Sequence, residues 1–377
     1  MTRKAFKYRL YPTQPQRKDL ERTLALCRQL YNAALQERRD AYRKAGKTVG
    51  FYEQKRWLPG IRAELPEYKG VHSQVLQNVI ERVDKAFQGF FRRVRAGQKP
   101  GYPRFKGQGR YDSFTFPQAD KTGIKIKGNG KQISISGIDN PVKCKFHRPL
   151  EGKVKTATLK REGDDWYIVF VCETEPNPLP ENRAAIGIDL GTNPHFLITS
   201  EGEMVKAPRY FQKAQARLAS AQRSLSRKKR GSRYRQARRR VAKLHRKIAN
   251  QRKDFHHKIA RRLVGRYGTI VHEDLNVIGL ARTRLAKGVL DAGWGQFLAI
   301  LAYKAEEAGR RVVKVDPKHT SQDCPVCGYR EKRPLWVREY TCPKCGTHQH
   351  RDVAAAINIL ARARTEPAGM GTAWAVP

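Results

Sequence analysis

Four cysteines and three acids carry the chemistry that can be read from this 377-residue chain. The cysteines form two pairs, Cys324-Pro-Val-Cys327 and Cys342-Pro-Lys-Cys345, separated by fourteen residues and each followed by a glycine, Gly328 and Gly346. Two C-x2-C pairs at this spacing suit four thiolates closing tetrahedrally on one zinc, with the glycines supplying the tight turn of each knuckle. A redox pair or disulfide would not need a second copy at ribbon spacing. Four sulfurs leave no open position for substrate, so the expected role of this zinc is structural.

The acids lie on either side of that ribbon. Asp189 sits in Ala185-Ile186-Gly187-Ile188-Asp189-Leu190-Gly191-Thr192, which reads as a buried strand carrying one carboxylate, with Gly187 and Gly191 leaving room for close backbone approach. A carboxylate there is costly unless a cation neutralises it. Ile270-Val271-His272-Glu273-Asp274-Leu275 is a second strand running into acids, and Asp352 opens an Ala-rich helix in His350-Arg351-Asp352-Val353-Ala354-Ala355-Ala356. Singly, Asp189 reads as a turn residue, Glu273 as a strand-end acid and Asp352 as an N-cap. Together they follow the order of an RNase H-like site: first strand, later strand, late helix. Converging carboxylates of this kind hold two divalent ions, and hard oxygen donors favour Mg²⁺ or Mn²⁺.

The elements that must position these groups fall into blocks. A strand near Phe6 is followed by a helix over about 14–43 and a second over about 72–95. The stripe Leu76, Val79, Ile80, Val83, Phe87, Phe90, Phe91 and Val94 of the second helix reads as a core face, and Gly97 as its cap. A turn-rich basic segment, Gln98-Lys99-Pro100-Gly101-Tyr102-Pro103-Arg104-Phe105-Lys106, comes next. Short alternating runs over 114–174 read as antiparallel strands, so a small β-barrel begins at the first strand and is interrupted by the helices. The proline-rich stretch 175–180 reads as a linker.

Charge identifies the kind of partner. Lys and Arg number 77 against 34 Asp and Glu, a formal charge of +43, with a pI of about 10.4. Such a chain repels itself unless a polyanion neutralises it. Between 206 and 266 there are 23 Lys/Arg and one acid, Asp254, expected as two long helices with positive faces. A structured RNA fits this charge better than a short duplex does. The competing partner is an anionic membrane, but no apolar run approaches the roughly 20 residues needed to span one. The basic start lacks the apolar core of a secretory signal. Cys27, Cys144 and Cys172 stand apart and are odd in number, which suits a reducing compartment.

The chain resembles the TnpB (OrfB) family, transposon-encoded RNA-guided nucleases related to type V CRISPR effectors. The resemblance runs over nearly the full length. It rests on Tyr8-Arg9-Leu10-Tyr11-Pro12-Thr13, Leu76-Gln77-Asn78, Ala86-Phe87-Gln88-Gly89-Phe90-Phe91, Pro100-Gly101-Tyr102-Pro103-Arg104-Phe105-Lys106, Gly187-Ile188-Asp189-Leu190-Gly191, His272-Glu273-Asp274-Leu275, Asp291-Ala292-Gly293-Trp294-Gly295, the ribbon, and Arg351-Asp352. It implies a multidomain α/β and α+β protein. An RNase H-like (RuvC) nuclease domain (181–316 and 348–364) would contain an inserted zinc ribbon (317–347). A β-barrel wedge (1–14 and 105–180) carrying a helical recognition insertion (15–104) would precede it, and a disordered tail (365–377) would follow. Asp189, Glu273 and Asp352 would be catalytic with Mg²⁺ or Mn²⁺, and Cys324, Cys327, Cys342 and Cys345 would hold Zn²⁺.

The implied partners are a guide RNA from the element's end and double-stranded target DNA cut beside a short flanking motif, with one protein per RNA and no membrane. The implied location is the cytoplasm, on the nucleoid of a bacterium or archaeon. Gln77, Ser113, Thr115 and, more loosely, Tyr52 are the candidates for reading the motif. Arg104, Lys106, Arg227, Lys228, Lys229, Arg230, Arg238 and Arg239 are candidate nucleic-acid contacts. The chain departs from the family pattern at His350 and Ala354, where the family often has Asp and Asn. The alternative functions are an RNA-guided repressor or transposition regulator that does not cut, and a strand-joining transposase.

Neutralising Arg227, Lys228, Lys229 and Arg230 together is expected to flatten the salt dependence of nucleic-acid binding by up to roughly 3 units of log–log slope. A binding titration across salt concentrations checks this; an unchanged slope would make the stretch a solvated face.

Overall fold

The computed structural model describes residues 2–229, 231–334 and 336–365, and the chain divides into two units, Met1–Glu175 and Pro176–Pro377. The first unit opens with β1 (Thr2–Tyr11) and a helical block: α1 (Gln14–Ala45), α2 (Phe51–Arg56), α3 (Leu58–Glu64), a 3-10 turn at Pro66–Gly70, and α4 (Ser73–Arg95). Six strands follow: β2 (Ser113–Phe116), β3 (Ile124–Lys127), β4 (Gln132–Ile135), β5 (Val142–Lys145), β6 (Lys153–Glu162) and β7 (Asp165–Thr174). They join β1 in a nearly closed antiparallel sheet of order β2-β6-β7-β1-β5-β4-β3. Alternation of side chains places Phe6, Tyr8 and Leu10 of β1 and Trp166, Ile168, Phe170 and Cys172 of β7 on the inner face.

α1 starts where Thr13 N–H donates to Gln16 Oε1 at 3.0 Å, and it ends at Gly46, whose φ of +62° suits a left-handed cap. α4 departs from the sequence expectation. Val75, Leu76, Val79, Ile80 and Val83 are buried against α1 and the sheet, but Phe91 and Val94 are exposed. The apolar stripe outruns its core: Phe87 and Phe90 are only partly covered, and the outer side of the last turns is left open.

The second unit contains β8 (Ala185–Leu190), β9 (His195–Thr199), β10 (Met204–Lys206), α5 (Tyr210–Ser226), α6 (Ser232–Arg266), β11 (Thr269–Glu273), α7 (Val277–Leu280), α8 (Ala286–Ala292), α9 (Trp294–Glu307) and β12 (Arg311–Val315). The ribbon pair β13 (Glu339–Thr341) and β14 (His348–His350) precedes α10 (Arg351–Thr365). The remainder of the tail expected to be disordered lies outside the described residues, as does Arg230. The sheet order is β10-β9-β8-β11-β12. β8, β9 and β10 pair antiparallel, while β11 runs parallel to both β8 and β12. Each parallel step needs a helical crossover, supplied by α5–α6 and then α9.

The two faces of this sheet are covered differently. Ile186, Ile188, Leu190 and Ile270 belong to a core with Ile259, Leu263, Phe297 and Leu301 of α6 and α9. On the other face Val271 and Val315 pack with Ile359 of α10. α10 presses so closely on β8 that a Cβ on Gly187 would lie 2.1 Å from the Ala356 carbonyl oxygen. Gly187→Ala is therefore expected to destabilise the protein by about 2 kcal/mol or more, since the obstacle is backbone and cannot swing aside. Urea denaturation checks this, with Gly295→Ala, which meets open space, as the comparison.

Candidate active site and cysteine cluster

Register places the acids. β8 and β11 are paired with Ile188 opposite His272, so Asp189 and Glu273 follow side by side at the strand ends, on the face covered by α10. Ala356 sits on Gly187, and Asp352 lies one turn earlier along the helix, toward Asp189. Burial first, then the charges of Glu273 and Asp352, push the Asp189 carboxyl up to about 7, opposed by the Leu190 backbone N–H and, after it, the Arg351 guanidinium. Burial also raises Glu273, against a 2.5 Å hydrogen bond donated by Thr320 Oγ1. Asp352 accepts from Arg338 Nη1 at 3.0 and 2.9 Å. It is not the helix cap: His350 Nδ1 accepts from the Asp352 N–H at 3.2 Å.

Thr320 and Arg338 both come from the ribbon segment, each just ahead of a cysteine pair, and neither was singled out in the sequence. An acid-only reading passes over them. The available signal was their closeness to the cysteine pairs, four residues before Cys324 and four before Cys342. The ribbon is tied down further by Asn358 Nδ2, which donates to the carbonyls of Thr320 and Asp323, both at 2.8 Å. Arg351 Nη1 donates to the Pro334 carbonyl at 2.9 Å. Ala354 is buried against Cys324, Tyr340 and Cys342, where the family's Asn would bury an amide.

The four cysteines are, among the described residues, the one His/Cys/Asp/Glu group whose ligand atoms all lie within 4.8 Å of one another. Cys324 and Cys345 Sγ are 3.7 Å apart, and Cys327 and Cys342 Sγ are 3.6 Å apart. Zn–S bonds of about 2.3 Å at tetrahedral angles require roughly 3.8 Å between sulfurs, so the set fits zinc. Gly328 and Gly346, both at φ +71°, close the knuckles with N–H groups donating to Cys324 and Cys342 carbonyls at 2.9 Å. Hydrogen bonds from Thr347 push the Cys345 thiol down to about 6, while Cys327, sharing protons with the other three, is pushed up to about 11; a bound metal would displace those protons. Cys27, Cys144 and Cys172 are buried, with burial raising each thiol.

The three carboxylates offer only hard oxygen donors, and their mutual repulsion at Asp189 is the kind a divalent cation relieves; their donor chemistry suits Mg²⁺ or Mn²⁺, although their oxygens do not all lie within 4.8 Å of one another. A second anchor lies under Asp189. Trp294 Nε1 donates to the Gly191 carbonyl at 3.1 Å. The adjacent Asp291 carboxylate accepts from the N–H groups of Phe211 and Gln212 at 2.8 and 3.1 Å, capping α5.

The nucleic-acid candidates separate into groups. Tyr52, 73% exposed, and Gln77 line one cavity of about 630 Å³ with Lys55, Arg56, Arg62 and Ser73. Ser113 and Thr115 lie on β2, where Arg82 donates to the Ser113 carbonyl at 2.6 Å and to Thr115 Oγ1 at 2.8 Å. The Thr115 hydroxyl also meets Thr158 Oγ1 at 2.8 Å, so it is internally engaged. Arg104 is exposed, while Lys106 is clamped through its backbone by Asn32 at 2.8 and 3.0 Å. Arg227 and Lys229 are exposed between α5 and α6, and Lys228 Nζ donates to Ser224 Oγ at 2.8 Å. Arg238 and Arg239 are exposed on α6, whose next turns, Arg240 to Gln251, line a second open cavity of about 630 Å³. No helix among the described residues is long and apolar enough to cross a membrane.

Sheet order, acids and ribbon define an RNase H-like nuclease fold with a four-cysteine ribbon between its last strand and last helix. The chain belongs to the TnpB (OrfB) family. It is 37% identical to a Streptomyces pristinaespiralis protein named "Putative RNA-guided DNA endonuclease", over 95% of this chain and 89% of that one. It is 30% identical to Escherichia coli "Putative RNA-guided DNA endonuclease InsQ", over 95% and 91%. Residues 169–284 match a family described as "Probable transposase", and 294–359 one described as "Cas12f1-like, TNB domain". Residues 1–47 match a "Helix-turn-helix domain" family, although in the described residues that stretch is the strand β1 and the single helix α1. The fold is shared with the protein of a Cas12f1–sgRNA–target DNA complex at 12% identity and a TM-score of 0.58, over 95% of this chain and 98% of that one.

The raised Asp189 carboxyl makes a pH prediction for metal-free protein. The unfolded chain loses this proton near pH 4 and the folded one near 7, so stability falls as pH rises through that window. Asp189→Asn is expected to stabilise metal-free protein by on the order of 1–2 kcal/mol at pH 7.5, with the gain gone at pH 4. Melting curves in chelator at both pH values check it.

Proposed function

We propose that this protein is an RNA-guided DNA endonuclease, cutting double-stranded DNA beside a short flanking motif under the direction of an RNA transcribed from its transposable element. The observation that supports the reading is that Asp189 and Glu273 stand at adjacent strand ends, with Glu273 and Asp352 near enough to raise the Asp189 carboxyl, in a chain aligned nearly end to end with relatives of that name. Base pairing with the guide selects the target, while the protein reads duplex shape and the flanking motif. The cavity shared by Tyr52 and Gln77 suits the motif, since polar side chains can hydrogen-bond base edges.

Asp189, Glu273 and Asp352 are the residues that hold the divalent ions. Two such ions supply activation of the attacking water and stabilisation of the leaving 3′ oxygen. Thr320 fixes the rotamer of Glu273, and Arg338 holds Asp352 until nucleic acid and cations compete for it. Cys324, Cys327, Cys342 and Cys345 hold structural zinc, and so keep Thr320 and Arg338 at the site. The working particle is one protein with one RNA, acting on the nucleoid. One observation favours the non-cutting repressor: Asp352 is paired with Arg338, an arrangement that binds without cleaving if it persists.

The test is a Mg²⁺-dependent plasmid cleavage assay on protein purified with RNA from its flanking DNA, using a guide-matched target beside randomised bases. Wild type is expected to cut at a subset of flanks, and Asp189→Ala to bind guide and target within about two-fold of wild type while losing at least roughly 1,000-fold in cutting rate. Guide-dependent binding without cutting by wild type would make the protein a repressor. Zinc chelation is expected to lower the melting temperature and abolish cutting together; an unchanged melting curve would remove the ribbon's structural role.

A further inference from the structure

The apolar stripe of α4 continues past the core as Phe87, Phe90, Phe91 and Val94, at i, i+3, i+4 and i+7 along one side of the helix. Phe91 is 52% exposed and Val94 47%. Beyond the helix, Gly97 at φ +62° reverses the chain, and Arg93 Nη2 donates to the Gly101 carbonyl at 3.1 Å, which folds the following segment back. Tyr102, 45% exposed, then meets Phe87 and Phe90 edge-on at 5.7 and 5.4 Å, and Phe90 meets Phe91 at 5.2 Å. Phe105 lies 5.1 Å beneath the Arg39 guanidinium. The result is a terrace of rings braced against one another from inside and bare on the outside.

Its charge is one-sided. From residue 86 to 106 there are six Lys/Arg (Arg92, Arg93, Arg95, Lys99, Arg104 and Lys106) and no acid. A second copy of this chain would set these cations against their own equivalents, and an acidic peptide would leave the rings without planar partners. Unpaired nucleobases satisfy both features: their faces stack on aromatic rings and their phosphates reach the basic rim. Duplex DNA hides its base faces until it is unwound, so the standing occupant of a preformed terrace is RNA.

We propose that Phe90, Phe91 and Tyr102 form a stacking platform for unpaired bases of the bound RNA, with Arg92, Arg95 and Arg104 engaging its phosphates. This rests on the RNA-guided reading. It adds an RNA contact that is separate from the basic helices α5 and α6 and from the carboxylate site. Because stacking releases few counterions, its contribution survives high salt, whereas purely electrostatic binding does not.

The test uses the full chain and a single-stranded RNA of about 20 nucleotides carrying 4-thiouridine, in about 0.5 M salt, where charges are screened within a few ångströms. Phe91→Ala and Tyr102→Ala are each expected to weaken binding roughly ten-fold with unchanged melting temperature and salt slope, and Phe91→Trp to retain wild-type affinity. Photo-crosslinks to residues 90–102 should appear without DNA. Wild-type RNA affinity in both alanine variants, or crosslinks that appear only after target DNA is added, would overturn the platform while leaving guided cleavage standing. Sedimentation showing a dimer that Phe91→Ala dissolves would assign the terrace to a second copy and overturn the proposal as well. Failure of wild type to bind any RNA would overturn the platform and the RNA-guided reading together.

Discussion

The second unit is organised around the contact between α10 and β8 at Gly187. The Ala356 carbonyl occupies the space a side chain would need, and this closeness lets a residue one turn up the helix share a site with one two residues along the strand. Asp352 and Asp189 meet electrostatically for that reason. The same helix carries Ile359 into the core beneath the sheet and Asn358 to the turn that leads into the first cysteine pair. One missing Cβ thus sets the depth at which a helix, two acids and a cysteine cluster are held.

Gathering carboxylates is unfavourable, even in a chain of net charge +43. The remote cations of α5 and α6 are exposed and screened within about a Debye length, so they do little to offset repulsion at Asp189. Local groups do the balancing. Thr320 donates to Glu273, Arg338 to Asp352, and Arg351 lowers Asp189 slightly. Two of these three come from the segment that the cysteines fold, so the ribbon is part of the electrostatics of the acids despite having no open coordination position of its own.

Much of this was legible in the sequence. The acid order, the cysteine spacing, α1, α4 and the long basic helices are local signals, carried by periodicity and residue type, and the structure has them at nearly the expected limits. What was not legible depends on contacts distant in the chain. Thr320 and Arg338 matter only because the ribbon folds back on β11 and α10. Asp291 caps a helix 80 residues before it. The α4 stripe has one periodicity throughout, yet its first half is buried while its second half grades from partly buried Phe87 and Phe90 to exposed Phe91 and Val94, because periodicity reports which face is apolar and not how far the neighbouring core extends. Ser113 and Thr115 look available in sequence, but Arg82 engages both.

The segment Leu290 to Trp294 shows how the basic helices and the acids are held as one piece. Arg252 of α6 donates to the Leu290 carbonyl at 2.6 Å, and His256 Nε2 meets the Ala292 carbonyl at 2.8 Å. Burial pushes that imidazole down to about 4, so it is neutral and its Nε2 carries the donated proton. Gly293 at φ +67° leaves no room for a side chain, since a Cβ there would lie 2.9 Å from Arg252 Cδ. On the other side Asp291 caps α5, and Trp294 holds the turn that follows Asp189. α5 and α6 are therefore tied to the end of β8 through four side chains, Arg252, His256, Asp291 and Trp294, each hydrogen-bonded to a backbone group. That bracing matters to an RNase H-like site because the crossover carrying this basic surface joins the two strands that bear Asp189 and Glu273.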